Sequence, residues 1–326
     1  MTKINNNNNN NNKRNNSLLL LAVVLASMMC GLFFSDQSKI LEPYLLIWLG
    51  MLLFLNLIRL DIMDLVSDFV RPKRIIILSI LKLVIIPLTM YQIIHVIYSK
   101  ESLSVLLLSG ISTGLGAPFI VNFVGGKLQT VVAMIMVTSL AVPLVLPVLV
   151  YSLFKTQFSI PFLNMVILLS TALFIPLASG WATKRYAPKI AKVIEERSLP
   201  ASLIVIVLIN LGMFAKFSNY FFEDPLFVLA ITGLAFALFG IYGLFGYAVD
   251  AIFLSNNVGT KNEKKNERLS AFISMSYVNN ILVAVFAQQF FGSQVAALAA
   301  FYNIPYYIGI LILARSVSND LRQAVK

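Results

Sequence analysis

The chain has 326 residues, 59% of them hydrophobic and only 12% charged, with a formal net charge of +11. Soluble domains carry about a quarter charged residues, and one soluble fold could not cover this much apolar surface; a bilayer can, at about 20 apolar residues per helix. A single cysteine, Cys30, and a single histidine, His95, exclude a disulfide framework, a cysteine-based metal site and a histidine cluster.

Residues 1–16 are mostly asparagine with Lys3, Lys13 and Arg14. The tract has no apolar content and is expected to be a disordered tail. Ten apolar runs follow, at 17–34, 43–59, 75–97, 103–124, 128–153, 159–181, 199–217, 226–253, 269–290 and 293–314. The first follows basic residues as a signal peptide would, but no small-residue cleavage site precedes Ser35, so it is read as span 1. Threading ten spans puts the tail, the loops 60–74, 125–127, 182–198 and 254–268, and the C-terminus on one side. That side holds 20 of the 25 Lys and Arg residues, and the other holds Lys39, Lys100, Lys155 and Lys216. The asymmetry predicts a multi-pass protein of the cell inner (plasma) membrane with both termini cytoplasmic. It accounts for the basic charge without a nucleic-acid partner.

Two spans are interrupted. Span 4 contains Ser112, Thr113, Gly114, Leu115, Gly116, Ala117 and Pro118; span 9 contains Ser274, Met275, Ser276, Tyr277, Val278, Asn279 and Asn280. In each, an Ile-Ser pair (Ile111-Ser112, Ile273-Ser274) ends nine residues before a valine (Val121, Val283). The two spans lie five apart, an odd number, so the second copy is inverted relative to the first. Broken helices at matching places in inverted halves point to a transport site. A new helix N-terminus there suits an anion, and a new C-terminus suits a cation. Glycine and proline in a membrane helix can also serve close packing or a kink alone.

Asn303 lies about ten residues into span 10, roughly 15 Å deep at 1.5 Å per residue, between Tyr302 and Tyr306. This depth favours a cavity-lining role over a plain interhelical bond. Gly116, Ala117, Pro118, Asn279, Asn280, Tyr302 and Asn303 form the candidate substrate-binding set, with a small organic anion as the expected partner beside the bilayer itself. Lys82 is the one formal charge deep in a span, about 12 Å in from Arg74, at an insertion cost of about 2.5–3.5 kcal/mol. Its alternative is snorkelling to the interface. Asp250 and His95 are expected to be interfacial and Cys30 to be a small apolar filler. No paired carboxylates, Ser–His pair or metal motif suggests an enzyme, and no cofactor is implied.

The chain resembles the bile acid:sodium symporter family of ten-helix carriers. Trp48-Leu49-Gly50-Met51 through Asp68-Phe69-Val70-Arg71-Pro72-Lys73 to Ile85-Ile86-Pro87 is similar to that family's spans 2 and 3. Leu128 to Pro147, with Pro143 and Pro147, is similar to span 5. Arg268 to Phe290, with Asn279 and Ala287-Gln288-Gln289-Phe290, is similar to span 9; Tyr302-Asn303 stands where the family often has His-Asn. The resemblance implies an all-α membrane fold of two inverted five-helix repeats, 17–155 and 156–326, with broken, crossing helices 4 and 9. Spans 3–5 and 8–10 would form a core domain and the others a panel. It also implies which positions should bind sodium, and here these are Ala117, Pro118, Val131, Ile135, Ser274, Val278 and Lys82. Hard cations need several oxygen ligands, and these positions no longer supply them. The expectation is therefore a secondary transporter of a small organic anion that is sodium-independent or proton-coupled. Lys82, with Ser274 and the carbonyls around Met275 and Tyr277, would act as the coupling-ion surrogate. A buried lysine could gain and lose a proton during the cycle. An ordinary sodium symporter with rearranged ligands and a non-transporting receptor of the same fold remain the alternatives.

This topology is tested by cysteine labelling in sealed cells. Positions near Ser99 and Asp224 should react with an external reagent and positions near Lys189 should not; external labelling at Lys189 would mean a miscounted span.

Overall fold

The computed structural model describes residues 22–58, 72–155, 161–254 and 260–323. The asparagine-rich tract, most of the 60–74 loop and the last three residues lie outside them. All regular elements among the described residues are helices. In chain order they are α1 (Ala22–Phe33), α2 (Ser35–Leu57), α3 (Pro72–Ile97), α4 (Ser102–Ser109), α5 (Ala117–Val124), α6 (Leu128–Phe154), α7 (Phe162–Tyr186) and α8 (Pro188–Ala215). Then follow α9 (Ser218–Glu223), α10 (Pro225–Leu254), α11 (Lys261–Ser276), α12 (Asn280–Phe291), α13 (Ser293–Phe301) and α14 (Asn303–Gln323). Seven stretches are long and apolar enough to cross a membrane: α2, α3, α6, α7, α8, α10 and Ser293–Leu313. At 1.5 Å per residue, α4 and α5, of eight residues each, reach only about 12 Å. The interruption expected in the fourth apolar run is real, and so is that in the ninth, where α11 and α12 are separated by residues 277–279.

Hydropathy marks where a helix leaves the apolar layer and not where it ends. The segment 182–198, expected as a loop, is helical except at Ala187, because α7 runs on to Tyr186 and α8 starts at Pro188. Proline suits a first helical position, where its missing N–H has no partner to lose. Likewise α11 begins at Lys261, well before its apolar run. Its start is fixed by a capping box in which Thr260 accepts from the Glu263 N–H and Glu263 from the Thr260 N–H.

Small residues set the closest helix contact. A Cβ on Gly246 of α10 would lie 2.7 Å from the Ala271 carbonyl oxygen and 2.6 Å from Met275 Cγ on α11. With no hydrophobic drive between helices in lipid, such close approach is what holds them together. The same two helices also share a buried ionic cluster with α3. Arg74 is 3% exposed. Its Nε lies 2.9 Å from Asp250 Oδ1, its Nη1 2.8 Å from Glu267 Oε1, and its Nη2 donates to the Leu254 carbonyl at 3.0 Å. Glu267 also receives Lys127 Nζ at 3.2 Å and the Thr130 hydroxyl at 2.9 Å. Asp250, expected at a membrane boundary, is not a solvated charge there: it is fully buried and paired. Arg74, counted as a loop charge in the sequence, is an interior one.

Removing one partner of a buried ionic set leaves the others uncompensated, typically a loss of about 3–5 kcal/mol. Arg74→Met should therefore lower the melting temperature of the detergent-solubilised protein markedly. Adding Asp250→Asn and Glu267→Gln to it should recover most of the loss, because no fully buried charge then remains; Lys127, partly exposed, keeps its charge in contact with solvent. Equal stability of Arg74→Met and wild type would show that the cluster contributes nothing.

Candidate functional site

The two interrupted helices cross at their breaks. Thr113 and Val278 pair as an isolated antiparallel bridge. The Gly114 N–H donates to the Tyr277 carbonyl at 2.7 Å, and the Asn279 N–H donates to Ser112 O at 3.0 Å. Gly114 has to be glycine, since a Cβ there would lie 2.7 Å from the Val278 carbonyl oxygen, a backbone atom that cannot swing away.

The end of α11 explains the rest of the crossing. A helix leaves its last carbonyls without intrahelical donors. Here each has a separate one. Thr113 Oγ1 donates to Ser274 O at 2.8 Å, Lys82 Nζ to Met275 O at 3.0 Å, the Tyr302 hydroxyl to Ser276 O at 2.7 Å and the Gly114 N–H to Tyr277 O. Thr113 is itself held, its N–H donating to Thr138 Oγ1 on α6 at 3.1 Å. Thr138 was not singled out in the sequence. Its signal there is a Thr138-Ser139 pair of hydroxyls amid the apolar residues of α6.

Lys82 reaches α11 from a π-helical turn in α3, Leu81–Ile85, where the Ile86 N–H bonds back to Leu81 O. Pro87 follows at once and offers no N–H to the turn before it. A widened turn of this kind often marks a functional position. The side chain is 2% exposed, so it does not snorkel. Its acceptor is the Met275 main-chain carbonyl and not the neighbouring Ser274 hydroxyl, which is buried without a hydrogen-bond partner among the described residues.

The remaining candidates gather around the same crossing. Ala117 and Pro118 open α5, and Asn280 opens α12. Asn280 Nδ2 donates to Asn303 Oδ1 at 2.8 Å and to Ala299 O at 3.2 Å. Gly116 lies under Tyr306, where a Cβ would come within 2.5 Å of the phenol oxygen. Tyr306 in turn packs edge-on against Tyr277, with centroids 4.8 Å apart. Tyr302 and Asn303 are buried. Ser112 Oγ, Asn279 Nδ2, Asn303 Nδ2 and the Tyr277 hydroxyl are buried without a protein partner. Such orphaned groups are uncommon in folded proteins and call for an explanation. Val131, Ile135 and Val278 are buried and apolar. An apolar cavity of about 480 Å³ between α2 and α8, lined by Trp48, Phe54, Ile194 and Ile204 among others, shares no residue with the crossing.

No curated protein matches the chain. A family model does: that of the sodium bile acid symporter family matches residues 46–224, more than half of the chain. The match covers the first broken helix, Lys82 and the long helices α3, α6, α7 and α8, and stops just before α10. On that match, with its run of apolar helices, the chain belongs to the sodium bile acid symporter family, a family of membrane transporters.

Proposed function

We propose that the protein is a secondary transporter of a small organic anion that works without sodium, because Lys82 supplies a tethered positive charge at the helix crossing. The observation that carries this reading is the contact of the Lys82 ammonium with the Met275 carbonyl at the C-terminal end of α11. A helix C-terminus attracts cations, and three N–H donors can organise carbonyls much as a bound ion would. A free sodium ion does not fit the same place. Val131, Ile135 and Val278 offer no side-chain oxygen, and the Met275 and Ser274 carbonyls already have donors.

The antiparallel meeting of the two breaks supports the reading of ten spans in two inverted five-helix repeats, 17–155 and 156–326, moving as a core against a panel. Both termini are placed in the cytoplasm, and the protein in the inner (plasma) membrane. The anion is assigned to the N-termini of α5 and α12, near Gly116, Ala117 and Pro118, with Asn279, Asn280, Tyr302 and Asn303 beside it. The buried, unpartnered amide groups of Asn279 and Asn303 favour a polar ligand there.

Flux into proteoliposomes, with a panel of small carboxylates and with or without sodium and a proton gradient, tests this. Wild type should transport at least one carboxylate without sodium. Lys82→Met should abolish that flux while the protein stays inserted and folded, and Lys82→Gln with Ser274→Glu should bring back a sodium response. Full sodium-independent transport by Lys82→Met would sink the assignment, and ligand binding without flux in wild type would favour a receptor.

The amides are tested by affinity. Asn279→Ala and Asn303→Ala each remove a buried amide, worth about 1–3 kcal/mol, so the apparent affinity should fall roughly ten- to a hundredfold. Asn303→Ala also strips Asn280 of its partner, so melting temperature is followed alongside. Wild-type affinity in both variants would place the anion elsewhere.

A further inference from the structure

At the far end of α3 from Arg74, the chain turns into α4 through a short 3-10 turn, Ser99–Glu101. Glu101 closes that turn and is 1% exposed. Neither of its carboxyl oxygens has a hydrogen-bond partner among the described residues. The Ser102 hydroxyl is turned away, donating back to Ser99 O at 2.7 Å; the buried Ser104 hydroxyl lies close enough to favour the ionised form in part, but makes no hydrogen bond of good geometry with it. The titratable groups on the surrounding elements do not reach it either. On α3, His95 is exposed and stacks on Tyr91, with centroids 5.3 Å apart. In the turn, Tyr98 and Lys100 are exposed. On α6, Tyr151 is exposed, and Lys155 just beyond the helix lies over its ring. α4 itself, and α12 and α13 packed on it, carry no charged residue.

The other buried acids among the described residues have a cation: Asp250 and Glu267 both pair with Arg74. An ionised carboxylate sealed away without a partner is strongly disfavoured relative to the neutral acid. We propose that Glu101 is a proton-binding site, holding its proton while the turn between α3 and α4 is closed and exchanging it with solvent only when that turn opens. The neutral acid can then stay buried at the outset of α4, the helix whose other end runs into the crossing. A proton bound in one conformation and lost in another is what couples a conformational cycle to a proton gradient. That last link rests on the transport reading; the proton site itself does not.

Burial pushes the Glu101 carboxyl above its ordinary value of 4.5, the adjacent Ser104 hydroxyl offsetting part of the effect. The sign follows directly. The closed turn binds more protons than the open one, so closure is fully favoured below about pH 4.5 and weakens as pH rises through the raised value.

Two measurements on the protein in nanodiscs decide the matter, and neither uses a substrate. Infrared difference spectra followed upward from about pH 4.5 should show a protonated-carboxyl band that Glu101→Gln removes and that outlasts the titration of exposed acids; loss of ionised-carboxylate bands alone across that range would overturn the proposal. Amide hydrogen exchange of residues 98–104 should rise with pH faster in wild type than in Glu101→Gln. The ratio of the two should be flat below about pH 4.5 and then climb by up to about tenfold per unit. Taking the ratio cancels His95 and the intrinsic pH dependence of exchange, which both proteins share. A ratio constant up to about pH 8 would overturn the exchange step. Ser104→Ala keeps the acid and should keep the climb; its absence there too would overturn the assignment to Glu101. A negative result here leaves the Lys82 flux outcome readable, and the reverse holds as well.

Discussion

The last turn of α11 ends among buried side chains, where each carbonyl left without a donor would cost on the order of 1–3 kcal/mol. Four consecutive carbonyls, from Ser274 to Tyr277, need partners at once, and four donors meet them. The donors come from three separate pieces of chain: α3, the 110–116 crossing stretch, and the residue between α13 and α14. One helix end thus ties together elements nearly two hundred residues apart in sequence. It also explains why the crossing is so narrow, since Gly114 can only donate to Tyr277 by bringing its own backbone against Val278.

The two buried cations of α3 are satisfied in opposite ways. Arg74 spreads its planar fork over two carboxylates and a carbonyl, an arrangement suited to guanidinium geometry. Its charge is matched, and its surroundings gain from staying as they are. Lys82 has a carbonyl, a neutral dipole, as its acceptor. It sits eight residues further along the same helix, on the face that meets the broken end of α11. A charge balanced by dipoles alone is more sensitive to what else enters its surroundings, an anion above all. The fold therefore puts a charge-matched cation near the start of α3 and, eight residues further in, one held by a carbonyl dipole.

Much of this was legible in the sequence, and the failures have one cause. The apolar runs marked the membrane-crossing helices, and the Gly114, Gly116 and Pro118 cluster marked a real break. Lys82 stood out because a charge within an apolar run is costly whatever its partner. Pairing was what remained hidden. Arg74 looked like a loop charge and Asp250 like a boundary residue because a count along the chain sees position, whereas their partner is some 180 residues away. The helical 182–198 segment was missed because a solvated helix has no hydropathy signal of its own. Thr138 and Glu101 were not singled out, since a hydroxyl in a long apolar helix and an acid at a span's end are both ordinary until burial is known.

Tethering the cation has an electrical consequence. A diffusible ion leaves with the substrate, whereas the Lys82 ammonium is covalently tied to α3. On the proposed reading, a carrier loaded with a monoanion moves as a neutral body, and the empty carrier moves with its positive charge exposed to the field. Moving one charge across a membrane held at 100 mV involves about 2.3 kcal/mol. Voltage would then act on the return of the empty carrier and hardly at all on the loaded step. An interior-negative potential would draw the empty site toward the cytoplasm and leave it waiting there for an anion.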